Sequence, residues 1–506
     1  MNKGDTVRLT IEDVSSEGQG IGKADGFAVF VRDTIVGDVV DVELTKVKKN
    51  YGFGRVSEYI SQSPSRQEAP CPYNDQCGGC TYQKMKYEEQ LALKAKQIRD
   101  KFIRLGGLEN PVVNETIGME SPFEYRNKAS MPVSTGGLIT KKGGVVEPVH
   151  EPRIGFYRAK SHDVVDCKEC LIQSQPAMAA AEALRKFMKE DNITSYDPRW
   201  QKGLMRHLIV RTAFGTGQVM VILVINGKGI PNAAKLVEML DDAIFNVPVY
   251  EDGPLAGIEF NLESVVVNVN KKDTSDILGN EYITLAGNPA IKEKVGDLNF
   301  EISPQSFYQV NPEQMKNLYG KVLEYADLKG DETVLDLYCG VGSIGLFCAD
   351  QMKSLGGEGQ VIGIESVKDA VVDANRNAVI NNIVNARYVC GRAEEVLPKM
   401  LGGLDIEASD DTDEAVADKE KHITIEKADV VILDPPRAGC DERLLTAVAA
   451  VAPEKIVYVS CDPGTQARDI KFLTGAGYKF VEATPVDMFP WTGHVECVVL
   501  LSKVQN

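Results

Sequence analysis

The stretch VLDLYCGVGSIG, residues 334–345, decides the fold that this sequence predicts. Its apolar run ends in the pattern G-x-G-x-x-G, and Glu365 follows twenty residues after the last glycine, at the end of the next apolar run. Glycines in a strand-to-helix turn let a nucleotide cofactor approach the backbone, and the later acid can bind ribose hydroxyls. The pattern suits NAD as well as S-adenosylmethionine, but Asp336, before the glycines, favours a cationic cofactor without a phosphate.

From about residue 313 onward, apolar strands alternate with helical segments. The strands include TVLDL (333–337), QVIGI (360–364) and ADVVIL (428–433). This alternation is typical of a parallel, doubly wound sheet, in which the carboxyl ends of the strands meet at one edge. We therefore predict an α/β fold with its functional residues along that edge.

Two further strands of this region end in residues that can carry chemistry. DPPRAG (434–439) follows a buried strand, and its prolines form a rigid lip that aims Asp434 into a crevice. IVYVSCDP (456–463) ends at Cys461, just before a Pro-Gly turn. A free thiol there can be a small core residue. Beside the glycine turn and Asp434, however, Cys461 is the best candidate for the centre of the chemistry.

The last chemical stretch, FPWTGHVECVVLL (489–501), places Glu496 at an apolar strand of the same region. A carboxyl group in such surroundings can have a raised pKa and serve as a base in a dry pocket. The alternative is a carboxylate at the start of the strand that faces solvent. His494 and Cys497 are weaker candidates, because the strand register decides which face each occupies.

Five of the eleven cysteines form a separate group. CPYNDQCGGC (71–80) contains three of them, and C167-K-E-C170 follows far downstream. Three thiols within ten residues can bind one metal centre if a fourth thiol joins them, and we favour Cys170 over Cys167 as that fourth ligand. The spacing alone does not separate a structural zinc from an iron-sulfur cluster. We predict Cys71, Cys77, Cys80 and Cys170 as the ligands.

The N-terminal half has a different pattern. Residues 5–59 contain short alternating strands separated by glycine-rich turns, which indicates a small β-barrel. The polar linker 61–70 ends this unit, and residues 119–290 are predicted to be mostly strand.

Composition limits the class of protein. A chain of 506 residues is large enough for several domains, and it has neither an apolar signal segment at its start nor an apolar run long enough to span a membrane. We expect a cytoplasmic protein with no membrane partner. The net charge of −17 argues against unspecific nucleic-acid binding. Part of the negative charge lies in the acidic segment 401–420, which predicts an exposed loop. Aromatic and basic residues alternate in 46–55 and 123–128, a pattern that suits RNA binding.

Together, these motifs resemble the S-adenosylmethionine-dependent RNA uracil-5 methyltransferases. The resemblance rests on S460-C-D-P463, DPPRAG, the glycine turn, F307-Y-Q-V-N311 and H494-V-E496, in one chain, and it covers nearly the whole length. The N-terminal strands resemble a TRAM domain, an OB-type RNA-binding barrel. The cysteine pattern resembles the four-iron cluster site of the branch that modifies large-subunit ribosomal RNA. The acidic insertion at 405–427 and the doubled Cys167 and Cys170 depart from the shared pattern.

The resemblance implies a fold, cofactors and site residues. It implies a TRAM barrel over 1–60, a central, mostly β domain with a [4Fe-4S] site over 71–88 and 119–290, and a Rossmann-like methyltransferase domain over 89–118 and 291–506. It implies that Cys461 is the nucleophile and Glu496 the base. The implied contacts to S-adenosylmethionine are Gln309, Asp336, Tyr338, Gly340, Gly342, Glu365 and Asp434. The implied contacts to RNA are Gln309, Phe307, Asp434 and Arg126, and Tyr308 is a second ring that can stack on a base.

The function implied by the resemblance is methylation of uracil C5 in large-subunit ribosomal RNA, by a monomeric enzyme. A transfer-RNA methyltransferase and a non-catalytic RNA-binding protein are the alternatives. A radical enzyme of the TRAM class requires C-x3-C-x2-C, which this chain lacks. A nicotinamide dehydrogenase accounts for the glycines but not for Cys461 or the D-P-P lip.

Overall fold

The computed structural model describes residues 1–135, 138–140, 146–148, 151–401 and 427–504. The predicted acidic loop therefore lies almost wholly outside the described residues. In the part of the chain described, no helix is long and apolar enough to cross a membrane.

A closed barrel of five strands begins the chain and confirms the predicted β-barrel. The strands are β1 (Thr6–Val14), β2 (Gly20–Ala24), β3 (Phe27–Val31), β4 (Val39–Val47) and β5 (Tyr51–Ser61). They pair in the order β1-β2-β3-β5-β4, and β4 closes onto β1. Because side chains alternate along a strand, Val29 and Val31 fill the interior while Phe30 lies on the outer face next to Tyr51 and Phe53.

Helix α1 (Tyr87–Arg104) connects the barrel to the rest of the chain. Acidic residues occupy its first turn and basic residues its last, which complements the helix dipole. Ile98 and Phe102 are fully buried in the same core as the C-terminal sheet, so this helix packs with the last part of the chain.

The central region contains a seven-stranded sheet and two helices. In chain order these elements are β6 (Lys128–Thr135), β7 (Leu138–Thr140), β8 (Val146–Pro148), β9 (Pro152–Tyr157), β10 (Val164–Asp166), α2 (Gln175–Glu190), β11 (Met205–Thr212), β12 (Gln218–Ile225), α3 (Ala233–Phe245), β13 (Asn261–Val269) and β14 (Glu281–Gly287). The sheet order is β10-β9-β6-β11-β12-β13-β14, while β7 pairs with β8 separately. Helices α2 and α3 were not expected in a region predicted as mostly strand, and they cover one face of this sheet.

A hairpin and a helix then lead to the C-terminal domain. They are β15 (Ile291–Val295), β16 (Leu298–Ile302) and α4 (Pro312–Ala326). Asn311 caps α4 by accepting a hydrogen bond from the Gln314 amide at 3.1 Å, and Pro312 occupies the first turn, where no amide donor is needed. The segment between β16 and α4 carries Phe307 and Gln309.

The C-terminal domain is the predicted doubly wound sheet. Its elements are β17 (Thr333–Leu337), α5 (Ser343–Ser354), β18 (Gln360–Glu365), α6 (Lys368–Ile380), β19 (Ala386–Cys390), α7 (Ala393–Leu401), β20 (Val430–Leu433), α8 (Glu442–Val451), β21 (Lys455–Ser460), α9 (Pro463–Gly475), β22 (Tyr478–Val486) and β23 (Glu496–Lys503). The sheet order is β19-β18-β17-β20-β21-β23-β22. Strands β17 to β21 are parallel, whereas β23 is antiparallel to both of its neighbours.

This strand order determines where a ligand can bind. The chain runs from β17 outward to β19, then returns to start β20 on the other side of β17. The connections that follow β17 and β20 lead away from each other, and such a point in a parallel sheet leaves a crevice at the carboxyl ends of the strands. Helices α4, α5 and α6 pack on one face of the sheet, and α1, α7, α8 and α9 pack on the other.

Candidate active site

The glycine turn after β17 lies at the crevice between β17 and β20. Gly340 and Gly342 have positive φ angles of 56° and 77°, a region that disfavours side chains. A Cβ atom on Gly340 would meet no atom within 4 Å, whereas one on Gly342 would lie 2.5 Å from the Tyr388 ring. Gly340 therefore leaves open space for a ligand, and Gly342 is required for packing. Tyr338, also at positive φ, is half-buried beside them.

Two carboxyl groups hold this turn in place. The Gly345 amide donates to Asp336 Oδ2 at 2.9 Å, and the Gly340 amide donates to Glu365 Oε2 at 3.1 Å. Asp336 is fully buried, its Oδ1 has no hydrogen-bond partner, and burial raises its pKa to about 7. Glu365 is half-buried at the end of β18. The turn thus offers an open backbone and an accessible acid, which fit a nucleoside ligand.

Asp434 lies directly after β20, where the D-P-P lip begins. Its amide donates to the Leu337 carbonyl at 3.3 Å, so the lip adjoins the end of β17. Asp434 as a whole residue is half-buried. Its carboxyl group is closely surrounded by protein atoms. Burial, and then the nearby Asp336, raise the pKa of Asp434 to about 7.

Cys461 and Glu496 lie next to each other at the same edge. Ser460, the last residue of β21, pairs with Cys497 of the antiparallel strand β23. The residue after Ser460 therefore lies opposite the residue before Cys497, which places Cys461 opposite Glu496. Cys461 is half-buried, and burial followed by the charge of Glu496 raises its pKa to about 11. Glu496 is buried, and burial followed by the charge of Asp434 raises its pKa to about 8. The thiol and two carboxyl groups are therefore within electrostatic range of one another.

Two side chains at this edge were not singled out from the sequence. The Arg437 guanidinium lies near Cys461, and its charge lowers the pKa of that thiol. The buried Tyr319 of α4 lies near Asp336, Asp434 and Glu496, and its hydroxyl is 2.8 Å from Ser343 Oγ. Arg437 belongs to the quoted stretch 434–439, where its position after the two prolines was the available signal. Tyr319 lies on an amphipathic helix and gave no such signal.

The segment between β16 and α4 supplies the residues predicted to contact the substrate. Phe307 is 68% exposed, whereas Tyr308 is buried in the core with α4 and α5. Tyr308 is therefore a core ring. The buried Gln309 is fixed through its backbone carbonyl, which accepts a hydrogen bond from Asn127 Nδ2 at 2.9 Å. The Arg211 guanidinium donates to the Ser306 carbonyl at 2.5 Å and holds the start of this segment.

The two weaker candidates, Cys497 and His494, lie in different surroundings. Cys497 is fully buried in the core between β21 and the helices, on the opposite side of β23 from Glu496. His494 keeps part of its surface exposed, while protein atoms around its ring remove some of the water, and this partial burial followed by the charge of Arg437 lowers its pKa. Cys497 is therefore a core residue, while His494 remains at the edge.

Comparison with known proteins identifies the family. The family model described as tRNA (Uracil-5-)-methyltransferase matches residues 260–504, and the TRAM domain model matches residues 2–57. An uncharacterized RNA methyltransferase of Halalkalibacterium halodurans is 40% identical over 99% of this chain and 98% of its own length. The chain belongs to the RNA (uracil-5-)-methyltransferase family. It is an S-adenosylmethionine-dependent RNA methyltransferase.

Further relatives agree with this assignment. An uncharacterized RNA methyltransferase of Bacillus cereus is 39% identical over the whole of this chain and 98% of its own length. Among solved structures, a Pyrococcus abyssi tRNA (uracil-54, C5)-methyltransferase in complex with S-adenosyl-L-homocysteine has a TM-score of 0.69 and 28% identity. That match covers 98% of this chain and 100% of the other. Membership of an enzyme family argues against the non-catalytic alternative.

The methyltransferase also has a cysteine-lined cavity outside this edge. The cavity has a volume of about 410 Å³. Its cysteines are Cys71, Cys77, Cys80, Cys167 and Cys170. The Gly79 amide donates to the Cys77 sulfur at 3.4 Å, and burial followed by the nearness of Cys170 raises the pKa of Cys80 to about 12. Arg126 and Val310 line the same cavity, so it adjoins the segment that carries Gln309.

The arrangement of these thiols bears on the predicted metal. Within the described ranges, no three His, Cys, Asp or Glu side chains are grouped so that they could hold a metal ion. The four predicted ligands thus surround one cavity without converging on a single point, and a preformed zinc site is not seen there. In a four-iron cluster each thiolate binds a different iron, so its ligands stand further apart than those of one ion.

Proposed function

We propose that this methyltransferase modifies C5 of a uridine in large-subunit ribosomal RNA, with Cys461 as nucleophile and Glu496 as base. The observation that carries the chemistry is the juxtaposition of Cys461 and Glu496 at the carboxyl edge of the sheet, beside the glycine turn. Uracil C5 is a weak nucleophile, and covalent addition of a thiolate at C6 activates it. A buried carboxyl group next to that thiol is suited to removing the proton from C5.

In the proposed reaction, the Cys461 thiolate forms a bond to C6, and the electron pair of the C5–C6 double bond becomes available at C5. S-adenosylmethionine supplies the methyl group, to which C5 forms a bond as S-adenosylhomocysteine leaves. Glu496 then takes the C5 proton. The C5–H electron pair restores the double bond, the C6–S bond breaks, and Cys461 is regenerated as a thiolate. Arg437, whose charge lowers the pKa of the Cys461 thiol, stabilises the thiolate at both ends of the cycle.

The residues around the crevice have proposed roles in binding the methyl donor. Glu365 binds the ribose hydroxyls, because it is accessible at the end of β18. Gly340 leaves the space for the nucleoside, and Tyr338 is half-buried beside it. Asp336 and Gly342 act mainly by shaping the turn, since one is fully buried and the other packs on Tyr388. Gln309 and Asp434 are proposed to contact both the methyl donor and the RNA.

The proposed RNA contacts combine a ring, an amide and charge. Phe307 is exposed and can stack on a base that has left its helix. Gln309 and Asp434 are proposed to bind the edge of the uracil, because each side chain has hydrogen-bonding groups. Arg126 is half-buried in the lining of the cysteine cavity and is proposed to contact a phosphate.

The choice of ribosomal RNA rests on two features that occur together. The chain has both the N-terminal barrel and the cysteine group that resemble the branch acting on large-subunit ribosomal RNA. Mapping of 5-methyluridine in ribosomal and transfer RNA, from cells with and without the gene, tests this choice. Loss of a methyl group from large-subunit ribosomal RNA is expected. A loss confined to transfer RNA would contradict the proposal.

Transfer RNA is the second candidate because one observation favours it. The Pyrococcus abyssi enzyme that matches the whole fold acts on transfer RNA, according to its description. Methylation of ribosomal and transfer-RNA transcripts by the purified protein distinguishes the two substrates directly.

We further propose that the cysteine cavity binds a [4Fe-4S] cluster through Cys71, Cys77, Cys80 and Cys170. Five thiols around one cavity supply more than the four ligands required. Iron and sulfide analysis of protein purified without oxygen is expected to give about four irons per chain. One zinc per chain, or no metal, would contradict this part of the proposal.

We propose that the protein acts in the cytoplasm. The proposed unit of activity is the monomer, because one chain contains both the crevice and the barrel. Light scattering during gel filtration is expected to give the mass of one chain, 55.3 kDa. A stable dimer would contradict it.

A further inference from the structure

The loop from Asp487 to Val495 closes the hairpin between β22 and β23. Its two ends are the paired residues Val486 and Glu496. Glu496 is therefore the first residue after this loop, and the conformation of the loop determines how the carboxyl group is presented to Cys461.

Trp491 is the most constrained residue of this loop. It is only 4% exposed, and its φ angle is +67°, a left-handed conformation that is unfavourable for a bulky side chain. Such a conformation persists only where surrounding contacts enforce it. The contacts of Trp491 must therefore hold the loop in place.

Those contacts reach two segments that are remote in sequence. The Trp491 carbonyl accepts hydrogen bonds from the Thr81 and Tyr82 amides at 2.9 and 3.0 Å, and the indole N–H donates to the Pro122 carbonyl at 2.7 Å. The indole stacks on Phe123, with ring centroids 5.2 Å apart at an angle of 22°. Backbone and side chain are thus fixed independently.

The same contacts connect Trp491 to the cysteine cavity. Thr81 directly follows Cys80, so the segment that bonds the Trp491 carbonyl also carries a proposed cluster ligand. Cys80 and Cys170 both pack against the apolar cluster that contains Trp491, Tyr125 and others. A displacement of Cys80 would therefore be transmitted to Trp491 without an intervening element.

The start of the loop is held by a second set of contacts. Asp487 forms a fully buried ion pair with Lys94, at 2.6 Å, and accepts a hydrogen bond from the Tyr87 hydroxyl at 2.9 Å. The Tyr87 ring also lies 5.5 Å from the Trp491 ring and packs in the same apolar cluster as Cys80, so this set adjoins the first. Trp491 is the loop residue whose carbonyl binds the segment after Cys80, and it precedes the half of the loop that leads to Glu496.

We infer that Trp491 is a positioning residue that couples the cysteine cavity to Glu496. The inference rests on the proposed role of Glu496 and extends it by giving the cysteine centre a mechanical part in the reaction. Binding of a cluster orders Cys80, Cys80 orders the Thr81 and Tyr82 amides, and these fix Trp491 and with it the loop that ends at Glu496.

The kinetic test compares Trp491→Phe with Trp200→Phe. Phenylalanine keeps a ring for stacking but loses the indole N–H and part of the contact area, whereas Trp200 is 54% exposed and lies outside this network. Misplacement of Glu496 should lower kcat of Trp491→Phe about tenfold. The KM values for RNA and for S-adenosylmethionine should change less than about twofold. The slowed proton removal should also let the methylated protein–RNA adduct accumulate, as in Glu496→Gln.

A spectroscopic test does not depend on activity. The chain has two tryptophans, so Trp200→Phe leaves Trp491 as the single emitter and Trp491→Phe leaves Trp200. Removal of iron from the iron-loaded protein with a chelator is expected to shift the emission maximum of Trp491 to longer wavelength, because the indole gains access to water. The emission maximum of Trp200 should not move.

The outcomes separate the inference from the proposed function. Equal kcat values for Trp491→Phe and Trp200→Phe, or an emission maximum of Trp491 that is unchanged by iron, would overturn the coupling. If Glu496→Gln forms no adduct, the proposed base is wrong, and the emission test still decides the coupling. If the protein binds no iron, the proposed cluster is wrong, and Cys80→Ser should produce the same emission shift if the coupling exists.

Discussion

Cys461 lies opposite Glu496 because Ser460 pairs with Cys497 across two antiparallel strands. The only antiparallel pairs among the described strands of this sheet are those made by β23, and they bring the start of β23 to the edge where the parallel strands end. A nucleophile at the end of one strand thus meets an acid at the beginning of its neighbour. Strand pairing thus places the two residues opposite each other, and the loop 487–495 before β23 affects the orientation of the Glu496 carboxyl group.

Glu496→Gln should separate methyl transfer from proton removal. Glutamine keeps the size and a hydrogen-bonding group but cannot accept the C5 proton, so turnover should fall by about 10²- to 10⁴-fold. The methylated RNA should remain attached to Cys461 and be visible as a slowly migrating band in denaturing gels. Glu454→Gln, an exposed carboxyl group on the far end of the sheet, is the control. Turnover of Glu496→Gln equal to that of the control would contradict the role of Glu496.

The same substitution should change how stability depends on pH. Burial raises the pKa of Glu496 from 4.5 to about 8, so the folded chain binds this proton more tightly than the unfolded chain. Below pH 4.5 both states are protonated, and between pH 4.5 and 8 the wild type progressively loses stability as pH rises. Glu496→Gln removes this loss, so its Tm relative to wild type should increase from pH 5 to pH 9. A difference in Tm that is constant over this range would show that the carboxyl group is not buried as described.

Arg437→Met should raise the pH at which Cys461 reacts. Burial raises the pKa of the Cys461 thiol to about 11 even though the charge of Arg437 lowers it. Because the thiolate is the reactive form, the rate of adduct formation rises with pH, and loss of the guanidinium should move that rise to higher pH. Arg443→Met, at an exposed position of α8, provides the matched control. Identical pH profiles for the two variants would exclude an electrostatic role of Arg437.

Gly340→Val should weaken binding of S-adenosylmethionine. A side chain at Gly340 points into open space, so it would occupy the volume proposed for the nucleoside and raise the Kd measured by calorimetry at least about tenfold. The positive φ angles of Gly340 and Gly342 strain a valine at either position, so both variants should have a lower Tm than the wild type. Gly342→Val also places its Cβ 2.5 Å from Tyr388 and should lower Tm further. Unchanged affinity in a folded Gly340→Val protein would exclude this position as the nucleoside site.

Much of this arrangement could be predicted from the sequence because turn-forming residues follow each of these strands. The glycines at 340 and 342, the prolines after Asp434, and the Pro-Gly turn after Cys461 mark strand ends, and parallel strands bring such ends together by topology. The resemblance to the methyltransferase family then gave the residues their roles. The N-terminal barrel was visible from its alternating strands.

Other features could not be seen because they depend on contacts between distant segments. The Lys94 ammonium is fully buried only because Asp487, 393 residues away in sequence, neutralises it. Trp491 similarly depends on Thr81 and Pro122. Helix α2 is a different case. Its Ala-rich sequence favours a helix, but the prediction of mostly strand for residues 119–290 did not include it.

The central claim, covalent catalysis by Cys461, is tested most directly by trapping the adduct. Large-subunit ribosomal RNA transcribed with 5-fluorouridine triphosphate carries fluorine at C5, which Glu496 cannot remove as a proton, so the methylated adduct should persist. After incubation with S-adenosylmethionine and proteolysis, mass spectrometry should find the nucleotide on Cys461 in the wild type and no adduct in Cys461→Ala. An adduct on a different cysteine, or full methyl transfer to unmodified RNA by Cys461→Ala, would contradict the account.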